Sequence, residues 1–231
     1  MGSDPKIISI APSDLHTEAL PPETSKAFFA FVNSDMVRSD WFLAGGTALA
    51  LQVGHRSSED LDFFTSRKDF DIAELEQTLS LHGTWETSRT SAGTLYGIFE
   101  GAKVSFIAYP FFRPSETRVQ CGAIQLLVPD DIMGMKIIAI SQRGKKRDFV
   151  DMYWYCAVHG GSLRDAILRA VTQFPERNHN IPHFFKSLVY FEDAEDDPMP
   201  KLHFKADWNE IKAYFKREVP RVTEEVLGLE L

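Results

Sequence analysis

The chain has 231 residues, 44% of them hydrophobic, enough to bury a full core without disulfides or metals. Its 14 glycines and 12 prolines are an ordinary share, which excludes collagen-like and low-complexity chains. A formal net charge of −8 argues against unspecific nucleic-acid binding, and only two cysteines, Cys121 and Cys156, suit a reduced, cytoplasmic protein. No basic start followed by a long apolar run marks Met1–His16. The longest apolar stretch, Ala27–Val32, is far short of the roughly 18 residues that cross a bilayer, so a soluble protein with no membrane partner is expected.

Pro21-Pro22 precede Ala27, Phe28, Phe31 and Val32 at helical spacing, which predicts an amphipathic helix ending near Arg38. Trp41–Ala44 is a short apolar run closed by Gly45-Gly46, the pattern of a buried strand feeding a turn. Thr47–Gly54 reads as a short helix capped by its glycine. Asp60–Thr65 alternates as a half-buried strand, and Ile72, Leu75, Leu79 and His82 line a helix. Strands are predicted over Trp85–Thr90, Thr94–Phe99, Lys103–Tyr109 and Ala123–Val128.

Beyond Pro129 the pattern is helical only: Asp130–Ser141, Lys146–His159, Ser162–Phe174, Ile181–Phe191 and Asp207–Arg217. The expectation is an α+β chain, with an α/β domain over 1–128 and a helical domain over 129–231. Charge is unevenly spread. Arg143, Lys145, Lys146 and Arg147 form a basic cluster, and Glu192–Asp197 an acidic run that reads as a solvated loop or a surface for a basic partner.

The stretch Leu43–Phe64, LAGGTALALQVGHRSSEDLDFF, carries the chemistry. A strand ends in Gly45-Gly46 and Thr47 opens a helix. Glycines let backbone N–H groups approach a ligand, and a helix N-terminus adds free donors and partial positive charge, so the turn suits phosphate. Alone, Gly-Gly-Thr is more often a plain turn. Asp60-x-Asp62 follows; residues two apart on a strand share a face, and paired carboxylates there suit Mg²⁺, which completes its shell with water and substrate phosphates. Alone, such a pair is more often a strand edge. Their conjunction, with Arg56, Ser57 and Ser58 between them to meet phosphate oxygens, points to a nucleotide site. His55 reads as a surface residue or a partner to the helix end, with a base as the alternative.

The pattern Gly-Gly-Thr, helix, His-Arg-x-Ser-x-Asp-x-Asp-Phe-Phe resembles the nucleotidyltransferase superfamily with the DNA polymerase β type of core. More closely it resembles the AbiEii/AbiGii toxins of bacterial toxin–antitoxin pairs. Asp130-Asp131-Ile132, Lys136-Ile137 and the run Arg143–Tyr153 are similar to that family's later motif, and the likeness covers about residues 25–156. It implies a mixed sheet flanked by helices, followed by a helical domain. It also implies transfer of a nucleoside monophosphate from a nucleoside triphosphate to a hydroxyl of RNA, tRNA or protein, with Mg²⁺ and a cognate antitoxin.

Carried over by residue, the resemblance implies that Gly45, Gly46 and Thr47 hold the triphosphate, with Arg56, Ser58 and Arg143, and that Asp60 and Asp62 bind metal. Lys136 faces the phosphates, and Asp148 and Asp151 match an acidic pair whose usual preceding Lys is here Arg147. Asp60, Asp62, Lys136 and Asp148 are the expected catalytic set. By helix geometry Asp148 borders an apolar face and Asp151 points further out. One departure stands out: many polymerase-β-type enzymes place a third carboxylate on a later strand, and the strand Lys103–Ile107 carries Ser105 instead. A catalytically degenerate nucleotide-binding or partner-binding module is therefore the alternative.

Overall fold

In the computed structural model, which describes residues 6–176 and 179–228, the chain divides between Pro129 and Asp130 into two units. The first holds β1 (Lys6–Ile10), α1 (Pro22–Val32), β2 (Trp41–Ala44), α2 (Gly45–Val53), β3 (Leu61–Thr65) and α3 (Ile72–His82), then β4 (Trp85–Ser91), β5 (Thr94–Phe99), β6 (Ala102–Ala108), β7 (Thr117–Cys121) and β8 (Ile124–Leu127). The strands form one mixed sheet in the order β1-β7-β8-β2-β3-β6-β5-β4. Strands β1 and β7 were not expected from the sequence.

One face of this sheet is a dense aromatic core. Phe63 stacks on Phe106 at 5.2 Å, and Phe31 of α1 lies 4.8 Å from Phe63 and 5.1 Å from Phe99. These rings are fully buried, and each is worth about 2–3 kcal/mol of transfer free energy. Period-2 alternation sends Leu61, Phe63 and Thr65 into this core and leaves Asp62 and Phe64 half-exposed on the opposite face. Helix α1 starts on Pro22, whose fixed φ suits a first helical position, and ends at Val32, nearly two turns short of the expected Arg38.

The second unit is helical among its described residues: α4 (Pro129–Arg143), α5 (Lys146–Tyr153), α6 (Leu163–Gln173), α7 (Ile181–Leu188), α8 (Glu192–Glu195) and α9 (Trp208–Leu227). The expected helix Lys146–His159 is α5 continued by a π-helical segment, Trp154–Val158. Helix α9 opens on a reciprocal cap, Asp207 accepting from the Glu210 N–H and Glu210 from the Asp207 N–H. It runs through Pro220, past the expected end at Arg217, because Val219, Val222 and Val226 extend its buried stripe.

The acidic run is solvent-exposed as expected at Glu192, Asp193, Glu195 and Asp196, but its start is helical and not a loop. Glu192–Glu195 is helix α8, and Asp197 takes the Lys146 N–H at the start of α5 (3.0 Å) and the Lys145 ammonium (3.2 Å). Lys146 also donates to the carbonyls of Glu195 and Asp197. Glu195 accepts from Trp208 and Lys212. Basic cluster and acidic run therefore answer each other inside one unit.

Candidate functional site

Strand β2 ends at Ala44, and the chain turns at Gly45 with φ +71°, a left-handed conformation that favours glycine. Because β2 and β3 are antiparallel with Ala44 opposite Asp62, the Asp62 carboxylate comes up against this corner. A Cβ on Gly45 would lie 3.1 Å from Asp62 Oδ2. Gly46 is held small by another neighbour: a Cβ there would fall 2.1 Å from Nη2 of the buried Arg56. The glycine corner therefore has a carboxylate on one side and a guanidinium on the other.

The hydroxyl of Thr47 lies within this framework. It is hydrogen-bonded to Ser58 Oγ at 2.8 Å and donates to the carbonyl of Asp60. Both hydroxyl residues are buried, so their side chains fix the Arg56–Asp60 loop to the start of α2. The N–H groups of that first helical turn have no partner inside the helix. His55, read from sequence as a surface residue, is buried. Asp60 precedes β3, which begins at Leu61, so Asp62 stands on the strand and Asp60 in the loop before it.

On the other side of Asp62 lies β6. The parallel register sets Ser105 directly opposite Asp62, and Ser105 Oγ donates to Asp62 Oδ1 at 2.5 Å. Asp62 thus turns one oxygen to Ser105 and the other to the corner. Among the described residues no group of three or more His, Cys, Asp or Glu is placed to hold a metal ion. A carboxylate oxygen beside a glycine cradle that a Cβ would crowd is a donor set that fits Mg²⁺, an ion that takes one or two carboxylates and draws its other ligands from water and phosphates.

In the second unit, Lys136 of α4 is buried between two aspartates of α5. Its ammonium is 2.6 Å from Asp148 Oδ1 and 2.6 Å from Asp151 Oδ2. Both carboxylates are fully buried, so the expectation that Asp151 points outward is corrected. The helix-face argument followed the apolar stripe, whereas a buried cation draws both acids inward. Asp148 Oδ2 is buried without a hydrogen-bond partner, 3.9 Å from Arg143 Nη2, whose side chain is 53% exposed.

The sequence matches the family model described as nucleotidyl transferase AbiEii toxin, type IV toxin–antitoxin system, over residues 32–91 and 104–227. The chain belongs to the AbiEii family. It is also 35% identical over 189 residues to an uncharacterized protein of Aquifex aeolicus, covering 80% of this chain and 89% of that one. Two solved structures share the fold. JHP933 of Helicobacter pylori has a TM-score of 0.51 at 17% identity, covering 90% of this chain and 95% of that one. The nucleotidyltransferase toxin MenT4 of Mycobacterium tuberculosis has a TM-score of 0.50 at 14% identity, covering 90% and 87%. The AbiEii chain is thus a nucleotidyltransferase-fold protein of α+β class. No helix among its described residues is long and apolar enough to cross a membrane.

Sequence reasoning brought Gly45, Asp62 and Ser105 of this AbiEii chain to one place, and missed what packs behind them. That Arg56 fills the flank of Gly46 has no signal in local sequence, because it depends on how the loop folds back. Among the aromatics, Trp41 and Phe112 are buried and Phe111 is exposed.

Proposed function

We propose that this chain is the toxin of a toxin–antitoxin pair and transfers a nucleoside monophosphate from a nucleoside triphosphate to a hydroxyl of RNA. The observation that carries the reading is the Asp62 carboxylate against the Gly45 corner, with Ser105 hydrogen-bonded behind it. The triphosphate lies over Gly45, Gly46 and Thr47, held by their backbone N–H groups, while Arg56 supplies positive charge and Ser58 keeps the loop in place. Asp60 and Asp62 are the residues that would hold Mg²⁺, which when bound neutralises charge on the leaving pyrophosphate.

The acceptor oxygen bonds to the α-phosphorus as the bridging bond to the β-phosphate breaks. Pyrophosphate leaves with the electron pair, and the hydroxyl proton passes to water or a carboxylate. Lys136, Asp148 and Arg143 of the second unit are proposed as further participants on the family motif alone.

Ser105 supports a second reading, a module that binds nucleotide and does not turn it over. A hydroxyl cannot supply the charge of a third carboxylate, and here it donates to Asp62. Calorimetry with each triphosphate, with and without MgCl₂, paired with an assay for released pyrophosphate, separates the two. Binding with turnover supports the transferase, binding without turnover the module, and no binding removes both.

A further inference from the structure

On the sheet face that carries Asp62, Ser105 is buried, and beyond it the face is exposed again at Tyr96 and Arg89. Antiparallel pairing of β5 with β6 sets Tyr96 opposite Ser105, and pairing of β4 with β5 sets Arg89 opposite Tyr96. Directly paired residues point to the same side, so Asp62, Ser105, Tyr96 and Arg89 form one row across four strands. Tyr96 is 37% exposed, and two strand spacings put it about 10 Å from Asp62.

Arg89 reaches this row because the ladder is broken. Thr87 pairs with Gly97, yet the next partner of β5, Tyr96, pairs with Arg89, so Ser88 is an extra residue in β4. Without that bulge Ser88 would face Tyr96 and Arg89 would point to the core side. Bulges re-aim side chains in this way and recur beside active sites. The neighbouring row holds Lys103 opposite Ile98, and Ile98 opposite Glu86. The exposed aromatic ring is thus flanked by two cations and one acid, two strands away from Asp62 in the same row.

We propose that Tyr96 and Arg89 form the acceptor subsite: the ring of Tyr96 stacks on a base of single-stranded RNA, and Arg89 contacts the adjoining phosphate. The inference rests on the nucleotidyl-transfer reading above and deepens it. The chemistry of this row favours RNA over a protein acceptor. A half-exposed ring beside an arginine offers a base a stacking surface and a phosphate a charge, and stacking needs no particular sequence. A distance of about 10 Å leaves room for the hydroxyl of the neighbouring nucleotide beside Asp62.

The test uses the full chain and a fluorescently labelled single-stranded RNA of mixed sequence, with anisotropy as the readout and triphosphate binding measured in parallel. Tyr96→Ala is expected to weaken RNA binding by about tenfold, and Tyr96→Phe, which keeps the ring, to retain it. Arg89→Ala is expected to lower the salt dependence of RNA binding by about one phosphate contact. All three variants should bind triphosphate like the parent chain, and Tyr96→Ala and Arg89→Ala should raise only the KM for RNA in transfer. RNA binding unchanged in both Tyr96→Ala and Arg89→Ala overturns the subsite, as does a parent chain that labels protein and leaves RNA unlabelled. A parent chain that neither binds nor turns over triphosphate overturns the underlying transfer reading, and the subsite with it.

Discussion

The hydroxyl of Ser105 donates a 2.5 Å hydrogen bond to Oδ1 of Asp62, across two parallel strands whose register sets them opposite each other. The serine therefore stands on the strand position nearest the candidate metal ligand, as a neutral donor where a carboxylate would add charge. Replacing it with alanine leaves the half-buried Asp62 short of a donor. Ser105→Ala is expected to cost about 1.5 kcal/mol in urea unfolding. Ser105→Asp places two carboxylates in register, which repel unless a cation sits between them. Its melting temperature should fall in EDTA and recover in MgCl₂; equal midpoints in the two buffers would count against a metal at this position.

Gly46 and Arg56 make a second pair open to test. A methyl at Gly46 would meet the guanidinium at 2.1 Å, so Gly46→Ala must displace Arg56 from the corner. Triphosphate affinity should drop in Gly46→Ala, and Arg56→Ala should lower it too, in calorimetry. Combining the two should cost less than their sum, because both remove the same group.

The Lys136 triad is expected to govern stability of the second unit. Lys136→Met leaves two buried carboxylates without their cation, a loss of about 3–5 kcal/mol in denaturant unfolding. Adding Asp148→Asn and Asp151→Asn to Lys136→Met should recover part of it. A loss below about 1 kcal/mol, the range of a surface ion pair, would mean the triad is solvated.

Acid should weaken the latch at Asp197. Partial burial pushes its carboxyl up, but the Lys146 N–H and Lys145 ammonium outweigh this and hold it below the usual carboxylate range. Glu195 is also held low, by Lys212 and Trp208. A carboxyl whose folded pKa is depressed contributes stability above its unfolded value and loses it as pH falls through the folded one. The melting temperature should therefore decline below about pH 4, and Asp197→Asn should be less stable near neutrality with a shallower decline.

The long periodic helices and strands β3 and β5 were legible because each buries one face, and β2 because it is a short apolar run buried on both. Strands β1 and β7 were not. All of β1 but Ile10 is exposed, at the sheet edge, and TRVQC of β7 lacks a clean alternation, so neither leaves a burial pattern to read. Helix α9 runs past the expected Arg217 because the local cost of Pro220 is offset by three buried valines that follow the same stripe. At the site, Gly45 and Asp62 were visible in the local pattern of strand, glycine turn and following strand, and Ser105 through the family resemblance; strand register sets Asp62 opposite both Ala44 and Ser105. The burial of Asp151, the place of Arg56 behind Gly46 and the pairing of the basic cluster with Asp197 depend on contacts between distant segments, which periodicity does not encode.

The most direct measurement of the central claim is label transfer. The parent chain, Asp60→Asn and Asp62→Asn are each incubated with α-labelled triphosphates, total RNA and MgCl₂, and RNA is separated from protein before counting. Labelled RNA from the parent chain alone, lost on adding EDTA, is the expected result. Equal labelling by all three proteins would contradict the account.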